Sequence, residues 1–370
     1  MIALARVPRA FISGRLVRSI ATHTPAVTFA AHGSPESVLV PAKIALPELK
    51  DDGVQLQFLA SPVNPADLNQ VQGTYPVKPT FHPGHGAVGG NEGIARVVAV
   101  GSQVSSVVPG DLVLPLDGPS HGTWRKYANV SSDKVLKVDL GKASIVAGAT
   151  VTVNPCTAYR MLKDFVSLQP GDVVVQNGAT SSVGQAVIQL AKAWGIQTVN
   201  VIRPRPDFDR VESDLRDLGA TLVLSEDDVR KPETLRKVQQ LGPRLPQLAL
   251  NCVGGKSATN LVRLLGDNGI MVTYGGMSKE PLTFPTSPFI FKNFTAAGFW
   301  MTRWYQQNSI EQRKSMVDEL LQLTSEGRFK DPWHQLVRLT GDAADDRLSI
   351  AAALQNSSKQ GAGKQIIVYE

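Results

Sequence analysis

The residues best suited to chemistry lie in a turn of small side chains between a β-branched run and a helix. Three valines at 173–175 lead into the turn at 178–184, and a helix-like segment at 185–194 leaves it. The N-terminus of such a helix offers unpaired N–H groups and the positive end of the helix dipole, which suit a pyrophosphate. The sequence therefore predicts a dinucleotide site at this turn.

Two arginines predict which dinucleotide it is. Arg203 and Arg205, separated by Pro204, follow the predicted strand at 197–202. In a dinucleotide-binding fold this position contacts the ribose 2′ group, where an acidic residue favours NAD and arginines favour the 2′-phosphate of NADP. We therefore expect NADPH, with a solvated loop at a strand end as the alternative. The turn departs from the full glycine fingerprint at Ser182, whose Cβ limits close approach of the backbone.

A metal is not predicted. A catalytic zinc needs about three converging Cys, His or carboxylate ligands. His82 and His85 flank a Pro-Gly turn with no cysteine nearby, which favours a solvated pair of loop histidines. Cys156 and Cys252 cannot form a disulfide framework, and they are interpreted as small buried residues in a reducing compartment.

The chain has 370 residues, which predicts two domains, and no apolar run approaches the ~20 residues that span a bilayer. Its net charge of +6 arises mostly in the first 35 residues, which hold four arginines and no acid. Without these arginines, 34 basic residues face 32 acidic ones, so no nucleic-acid partner is expected. Residues 1–25 are interpreted as a mitochondrial transit peptide, which predicts a matrix location. A basic tail is the alternative.

The arrangement of elements steps from β-rich to alternating and back. Residues 26–153 are interpreted as all-β, with short β-branched runs between turns. Strands at 172–177, 197–202, 220–225, 247–253, 269–274 and 295–298 then alternate with helices at 183–194, 207–218, 230–241 and 255–266, which predicts a doubly wound parallel sheet. A helix at 309–326 and strands ending at 365–369 are predicted for the rest of the chain. This order predicts one domain interrupted by another.

This layout resembles the medium-chain dehydrogenase/reductase superfamily, and six motifs resemble its zinc-free branch of mitochondrial 2-enoyl thioester reductases. Each motif is weak singly, but six in order are a strong signal. They are NPADLNQVQGTYP at 64–76, GGNEG at 89–93, NPCTAYR at 154–160, NCVGGK at 251–256, YGGM at 274–277 and GFW at 298–300.

The resemblance implies an α/β fold in which a GroES-like, β-rich catalytic domain (26–156 and 303–370) is interrupted by an NADP-binding Rossmann domain (157–302). The implied activity is NADPH-dependent reduction of trans-2-enoyl thioesters in mitochondrial fatty-acid synthesis. A homodimer and an acyl-carrier-protein partner are also implied. The implied cofactor contacts are Asn154, Thr180, Ser181, Ser182, Val183, Arg203, Pro204, Arg205, Tyr274, Gly275, Gly276, Met277, Phe299, Trp300, Met301 and Lys364. For Lys364 a surface position is an equal alternative.

Enoyl reduction without a metal needs a hydride at the β-carbon and a proton at the α-carbon. A phenol, whose ordinary pKa is about 10, is protonated at mitochondrial pH and can donate that proton. The resemblance assigns this role to Tyr75, in a Gly-Thr-Tyr-Pro turn. A loop tyrosine that only packs its ring is the alternative. Phe299 and Trp300 would border the acyl pocket, although aromatic residues are more often core or dimer interface.

Two other functions remain open from the sequence. An NADPH:quinone reductase of the same superfamily shares the run from Asn-Pro to Gly-Thr-Tyr, but the motifs at 154–160 and 298–300 favour the enoyl reductase. A non-catalytic relative that binds nucleotide or RNA would keep the Rossmann fold without the reaction. The acidic acyl-carrier protein would need a basic surface, which the linear sequence does not locate.

Overall fold

The computed structural model describes residues 20–357 and 361–369. Most of the predicted transit peptide therefore lies outside the described residues. Its last residues do not, because strand β1 begins at His23. The backbone just before that strand is also anchored: the Ala21 N–H donates to Gln55 Oε1 over 2.8 Å. Residues 21–25 of the predicted segment 1–25 thus belong to the described fold.

The described residues form sixteen strands and thirteen α-helices. The strands are β1 (His23–Phe29), β2 (Val40–Ala45), β3 (Gly53–Pro62), β4 (Ala87–Val88), β5 (Ile94–Val100), β6 (Leu112–Pro115), β7 (Tyr127–Ser131), β8 (Val135–Val138), β9 (Val173–Asn177), β10 (Gln197–Ile202), β11 (Leu222–Ser225), β12 (Leu248–Asn251), β13 (Ile270–Thr273), β14 (Thr295–Gly298), β15 (His334–Leu339) and β16 (Lys364–Tyr369). The helices are α1 (Pro35–Val38), α2 (Pro65–Val71), α3 (Gly118–His121), α4 (Ile145–Thr150), α5 (Asn154–Asp164), α6 (Ser182–Ala193), α7 (Phe208–Leu218), α8 (Pro232–Gln239), α9 (Gly255–Leu264), α10 (Thr286–Lys292), α11 (Met301–Gln307), α12 (Ile310–Ser325) and α13 (Ala343–Ser357).

The alternating region forms the predicted doubly wound sheet. Its strand order is β11-β10-β9-β12-β13-β14, and every neighbouring pair is parallel. The six strands and the helices α6 to α9 begin and end within two residues of the predicted bounds. β9 is buried along its whole length, as expected for a strand covered by helices on both faces. The fold class is confirmed for this part of the chain.

The remaining strands build a second unit that the chain enters twice. A seven-stranded sheet runs β15-β16-β3-β5-β6-β8, with β7 also paired to β3. The C-terminal strand β16 pairs antiparallel with β3, through Ile366 with Pro62 and Ile367 with Ser61. The tail therefore completes the domain that the N-terminal half begins. A smaller sheet, β2-β1-β4, lies beside it.

Two sequence predictions about local structure were wrong. Residues 26–153 are not all-β, because α1 to α4 interrupt the strands. The helix α2 is specified locally: Asn64 and Asp67 form a capping box, and Pro65 occupies the first helical position. The tail contains α13 where strands were predicted; two aspartates in its first turn and alanines at 351–353 favour a helix there.

The two units share one buried core. Ile94 of β5, Leu190 of α6 and Leu320 of α12 belong to a single cluster of buried apolar side chains that also contains Ile366 of β16. Helix α5 packs against α6, and Asn154 and Ser182, the first residues of these two helices, line one cavity. Since both domains are joined through this core, residues far apart in sequence have fixed relative positions at its surface.

Candidate active site

The carboxyl edge of the six-stranded sheet gathers most of the predicted cofactor residues. Because the strands are parallel, the chain leaves each of them at the same edge, which is where open α/β sheets bind ligands. The turn at 178–184 follows β9, the residues 203–205 follow β10, the residues 274–277 follow β13, and the residues 299–300 follow β14.

The turn after β9 is shaped for close approach to a ligand. Ser181 caps α6, and its Oγ accepts a hydrogen bond from the Gly184 N–H over 3.1 Å. A Cβ on Gly184 would lie 2.6 Å from the Ala179 carbonyl oxygen, so only glycine lets the helix pack this tightly on the turn. Ser182 is the first residue of α6 and is half-buried, which leaves its hydroxyl beside the helix N-terminus.

The arginines after β10 are not equivalent. Arg203 is exposed. Arg205 is mostly covered, and its guanidinium makes two hydrogen bonds to Asp207, from Nε to Oδ1 over 2.5 Å and from Nη2 to Oδ2 over 3.1 Å. Arg210 also contacts Asp207, over 2.5 Å, and the two cations hold the pKa of Asp207 far below its usual range. Arg205 is thereby held in one orientation beside the carboxyl edge.

The segment after β13 is fixed by backbone contacts to β12. The Tyr274 N–H donates to the Asn251 carbonyl over 3.0 Å, and the Met277 N–H donates to the Cys252 carbonyl over 2.9 Å. Burial beside the Cys252 thiol raises the pKa of the Tyr274 hydroxyl well above its ordinary value. Met301, in contrast, is buried in the core with its side chain away from solvent. Its contact with a cofactor would have to come from its backbone.

Asn154 carries an unsatisfied acceptor. It is the first residue of α5 and is 9% exposed, and its Oδ1 has no hydrogen-bond partner within the described part of the chain. A buried acceptor without a donor costs free energy, so such a group marks a position where a ligand donor fits. A carboxamide N–H, such as that of nicotinamide, is a donor of this kind.

Tyr75 lies on a short loop that α2 holds in place. The N–H groups of Thr74 and Tyr75 both donate to the Asn69 carbonyl, over 2.9 and 3.2 Å. Gly73 turns the chain with a φ of +75°, and a Cβ there would lie 2.9 Å from the His32 ring. The Lys78 ammonium donates to the Gly73 carbonyl over 2.6 Å. The phenol is therefore presented by an anchored loop.

The central contact of the site joins Tyr75 to Trp300. The Trp300 Nε1–H donates to the Tyr75 hydroxyl oxygen over 2.8 Å, across 225 residues of sequence. Their rings meet edge to face, with centroids 6.1 Å apart. Because an indole N–H can only donate, the Tyr75 oxygen is the acceptor and its own hydrogen stays available for another acceptor. Both side chains are half-buried, so a ligand can reach them.

The structure places the other aromatic residues in three kinds of position. Phe299 is half-buried and lies against Phe165, with ring centroids 6.2 Å apart, which adds an apolar surface beside Trp300. Phe294 and Trp304 are buried in the core. Phe289 and Phe291 are exposed on α10, where the Phe289 ring also packs against Phe294 with centroids 5.1 Å apart.

Lys364 lies inside the molecule, so the alternative of a surface lysine was wrong. It is 9% exposed at the start of β16, and its Nζ donates to Asn64 Oδ1 over 2.6 Å. The Asn64 Nδ2 donates in turn to Glu92 Oε1 over 2.7 Å. Lys364 thus belongs to a buried polar cluster with Asn64 and Glu92, at the start of α2.

The chain is similar to known proteins over most of its length. Residues 50–140 match the alcohol dehydrogenase GroES-like domain, and residues 182–322 match the family described as zinc-binding dehydrogenase. The mitochondrial enoyl-[acyl-carrier-protein] reductase of Rattus norvegicus is 45% identical over 311 residues, which cover 84% of this chain and 81% of the relative. The chain belongs to the mitochondrial enoyl-[acyl-carrier-protein] reductase family.

Solved structures from this reductase family show the same fold. The complex of Etr1p with NADP and crotonyl-CoA is 39% identical, with a TM-score of 0.87 over 94% of this chain and all of that one. The Etr1p/Etr2p heterodimer from Candida tropicalis, also 39% identical, has a TM-score of 0.88 over the same shares. The two-domain α/β architecture is therefore confirmed over nearly the whole chain.

The name of one matching family invites a test for zinc. Among residues 20–357 and 361–369, no group of three or more His, Cys, Asp or Glu side chains could hold a metal ion. His82 and His85 lie with ring centroids 5.2 Å apart on a loop without a further ligand of these types. The polar residues beside the start of α2 are two carboxylates, Asp67 and Glu92, and two amides, Asn64 and Asn91. They are already hydrogen-bonded to one another. The donor set does not fit zinc, and no step of the reaction is assigned to one.

The sequence assigned no role to the two buried carboxylates beside Asn64, Asp67 and Glu92. Burial raises the pKa of Glu92 to about 7, although Lys364 and Asn64 oppose the shift. Burial also raises the pKa of Asp67 to about 6, against its hydrogen bonds from Asn64 and Asn91. Both residues stand inside motifs that resemble the reductases, yet a glutamate in a Gly-Asn-Glu-Gly run carries no local signal that it will be buried.

Proposed function

We propose that this chain reduces the double bond of trans-2-enoyl thioesters with NADPH. The observation that carries the proposal is the hydrogen bond from Trp300 Nε1 to the Tyr75 oxygen, over 2.8 Å. It leaves the Tyr75 hydroxyl hydrogen free for a substrate, in an aromatic-lined site beside the carboxyl edge of the dinucleotide-binding sheet. Etr1p, 39% identical, has been solved with NADP and crotonyl-CoA, which supports the same cofactor and substrate class here.

The chain's own residues account for the protonation step. When bound, the nicotinamide supplies a hydride to the β-carbon of the enoyl thioester, which leaves an enolate. Tyr75 then transfers its hydroxyl proton to the α-carbon, as a general acid. As negative charge develops on the Tyr75 oxygen, the Trp300 N–H already points at it and stabilises it without reorganisation. Trp300 therefore assists the donor that it orients.

The cofactor residues fit NADPH by three independent features. The capped N-terminus of α6 suits the pyrophosphate, and Arg203 with the oriented Arg205 suits the 2′-phosphate. The unsatisfied Asn154 Oδ1 suits the nicotinamide carboxamide. Thr180, Val183 and the segment 274–277 line the same edge between these positions. Lys364 would act through Asn64, to which its Nζ donates a hydrogen bond over 2.6 Å.

An acyl-carrier protein as the thioester donor belongs to the proposal. Two exposed cations flank the Tyr75–Trp300 contact: Lys78, whose Nζ is bonded to Gly73, and Arg303, whose guanidinium carbon lies 6.0 Å from the Trp300 ring. They supply a basic rim for an acidic carrier. A matrix location is supported by relatives named as mitochondrial reductases in rat, human and Yarrowia lipolytica. No helix in the described residues is long and apolar enough to cross a membrane.

A homodimer is also proposed. The edge strand β14 has a free side, and its Thr295, Ala296 and Gly298 are exposed. Beside it, α10 exposes apolar side chains. An open sheet edge next to an apolar surface favours pairing with a second copy. The Etr1p/Etr2p protein, which has this fold, is a heterodimer.

The test compares substrates and one variant. Wild type should oxidise NADPH with trans-2-enoyl-CoAs and not with quinones, the alternative function. Tyr75→Phe should keep its NADPH affinity and lose at least about 100-fold in kcat, because it removes the general acid alone. Tyr127→Phe, on a distant strand, is the matched control. Quinone turnover faster than enoyl-CoA turnover would contradict the proposed substrate, and full activity in Tyr75→Phe would contradict the proton donor.

A further inference from the structure

Glu92 is a buried carboxylate whose two oxygens accept hydrogen bonds from three donors. It is 2% exposed, between the short strand β4 and β5. Its Oε1 accepts from Asn64 Nδ2 over 2.7 Å, and its Oε2 accepts from Thr152 Oγ1 over 2.9 Å and from the Val153 N–H over 3.0 Å. An ionised carboxylate can only accept, so it matches these three donors.

The cation Lys364 fixes the orientation of Asn64 from the other side. Its ammonium donates to Asn64 Oδ1 over 2.6 Å. Since an ammonium can only donate and a carboxylate can only accept, the Asn64 oxygen must face Lys364 and its NH₂ must face Glu92. The Asn64 side chain therefore has one orientation, which is set by a buried charge at each end.

This cluster connects the segment that leads to the proposed proton donor with the segment that carries the proposed nicotinamide contact. Asn64 is the N-cap of α2. The loop that carries Tyr75 follows the other end of this helix and donates hydrogen bonds to the Asn69 carbonyl. The Val153 N–H that Glu92 holds immediately precedes Asn154, whose free Oδ1 is the proposed nicotinamide contact. The Glu92 carboxylate is thus bonded to Asn64, which begins α2 and so leads to the Tyr75 loop. It is also bonded to Val153, which directly precedes α5 and its first residue Asn154.

We propose that Glu92 is a positioning residue, which sets the proton donor Tyr75 and the nicotinamide contact Asn154 in register for the reduction. This inference rests on the proposed function. Glu92 touches neither substrate nor cofactor, and acts through Asn64 and Val153. Its effect belongs to the step in which the reacting atoms must be aligned, where a misplacement of about 1 Å can cost about 100-fold in rate.

Glu92→Gln is the direct test, because glutamine has nearly the same shape but one acceptor oxygen in place of two. Its NH₂ would meet at least one of the three donors, so a contact to Asn64, Thr152 or Val153 is lost. We expect kcat with an enoyl-CoA to fall about 10-fold or more. The Kd for NADP⁺ should stay within about twofold, because the pyrophosphate turn and the arginines are untouched.

A second variant with a matched control keeps the test decisive if Glu92→Gln does not fold. Thr152→Val removes one donor to Glu92. Thr150→Val removes a hydroxyl that is equally buried but donates to the Val146 carbonyl of its own helix over 2.9 Å. Thr152→Val should lower kcat by about threefold or more and Thr150→Val should not, although both lose a buried hydrogen bond.

An isotope effect separates positioning from general loss of stability. With NADPH deuterated at the transferred position, the kinetic isotope effect on kcat should rise in Glu92→Gln and in Thr152→Val, because misalignment slows the chemical step itself. Wild-type kcat in Glu92→Gln, or equal kcat losses in Thr152→Val and Thr150→Val, would overturn the role of Glu92. Inactivity of wild type towards enoyl-CoA would instead overturn the proposed function.

Discussion

Arg205 shows how a single residue is prepared for a phosphate. Asp207 holds its guanidinium by two hydrogen bonds, so one edge of the fork is occupied and the orientation is set. Arg203, two residues earlier, is exposed at the same strand end. Arg203 and Arg205 therefore differ in exposure and in how firmly their side chains are held. Their spacing in the sequence did not predict this difference. A 2′-phosphate would meet one fixed and one exposed arginine.

The double variant Arg203→Ala/Arg205→Ala should raise the KM for NADPH about 100-fold or more and the KM for NADH less than about threefold. Each charge-assisted hydrogen bond contributes about 1.5 to 3 kcal/mol, and NADH lacks the 2′-phosphate that receives it. Steady-state assays with both cofactors measure the ratio. Arg210→Ala is the control, since Arg210 contacts Asp207 from the exposed face of α7. Equal rises for both cofactors would contradict the assignment.

The sequence did not predict which residues far apart in the chain contact one another. The turn at 178–184 and the arginines were located because their neighbours in sequence are also their neighbours in space. The Trp300–Tyr75 bond spans 225 residues and the Lys364–Asn64 bond spans 300, so no periodicity could join them. Family resemblance named Tyr75, Trp300 and Lys364 but gave no partner to any of them, and it gave Glu92 no role.

At the scale of elements, the sequence predicts those strands and helices whose pattern lies within a short run of neighbouring residues. The inner strands of the parallel sheet, such as β9, are buried on both faces and therefore appear as apolar runs, which made their bounds predictable. Helix α2 is only seven residues long and lies among β-branched runs, so its capping box and proline were outweighed by the surrounding pattern. The same short helix carries Asp67, the buried acid on which its own stability depends.

Asp67 makes the stability of this region depend on pH. Its Oδ2 accepts from the Asn64 N–H over 2.7 Å and its Oδ1 accepts from Asn91 over 2.5 Å, and burial raises its pKa to about 6. Between about pH 4 and 6 the folded protein therefore keeps a proton that the unfolded chain releases. Raising the pH across this window lowers the contribution of Asp67 to the free energy of unfolding.

Asp67→Asn removes this ionisation and keeps the shape. The free energy of unfolding of wild type, minus that of the variant, should fall by on the order of 2 kcal/mol from pH 4 to pH 6.5. Urea unfolding at several pH values measures it. Glu92 and Lys364 face the same cluster, and the pKa of Glu92 is raised by burial and also by the charge of Asp67, so the measured difference includes the coupling between the two acids. A constant difference across that range would show that Asp67 does not titrate there.

At the scale of the whole molecule, helix α10 presents an apolar surface to solvent. On α10, Phe289 is 45% exposed, Ile290 is 66% exposed and Phe291 is 79% exposed. The helix lies next to β14, whose outer edge pairs with no other strand in the described part of the chain. Closed dimers use one patch on both copies, and a sheet edge with its neighbouring helix can meet itself in this way. The proposed homodimer would continue the six-stranded sheet through a second copy.

Phe291→Glu should therefore convert the protein from dimer to monomer at micromolar concentration, because it places a carboxylate in the centre of the apolar patch without touching the core. Sedimentation velocity measures the change. Leu348→Glu, on α13, replaces a leucine that is 74% exposed and should leave the dimer intact. The turnover of Phe291→Glu should stay within about threefold of wild type, since Tyr75, Trp300 and Asn154 come from one copy. Wild type sedimenting as a monomer would contradict the proposed interface.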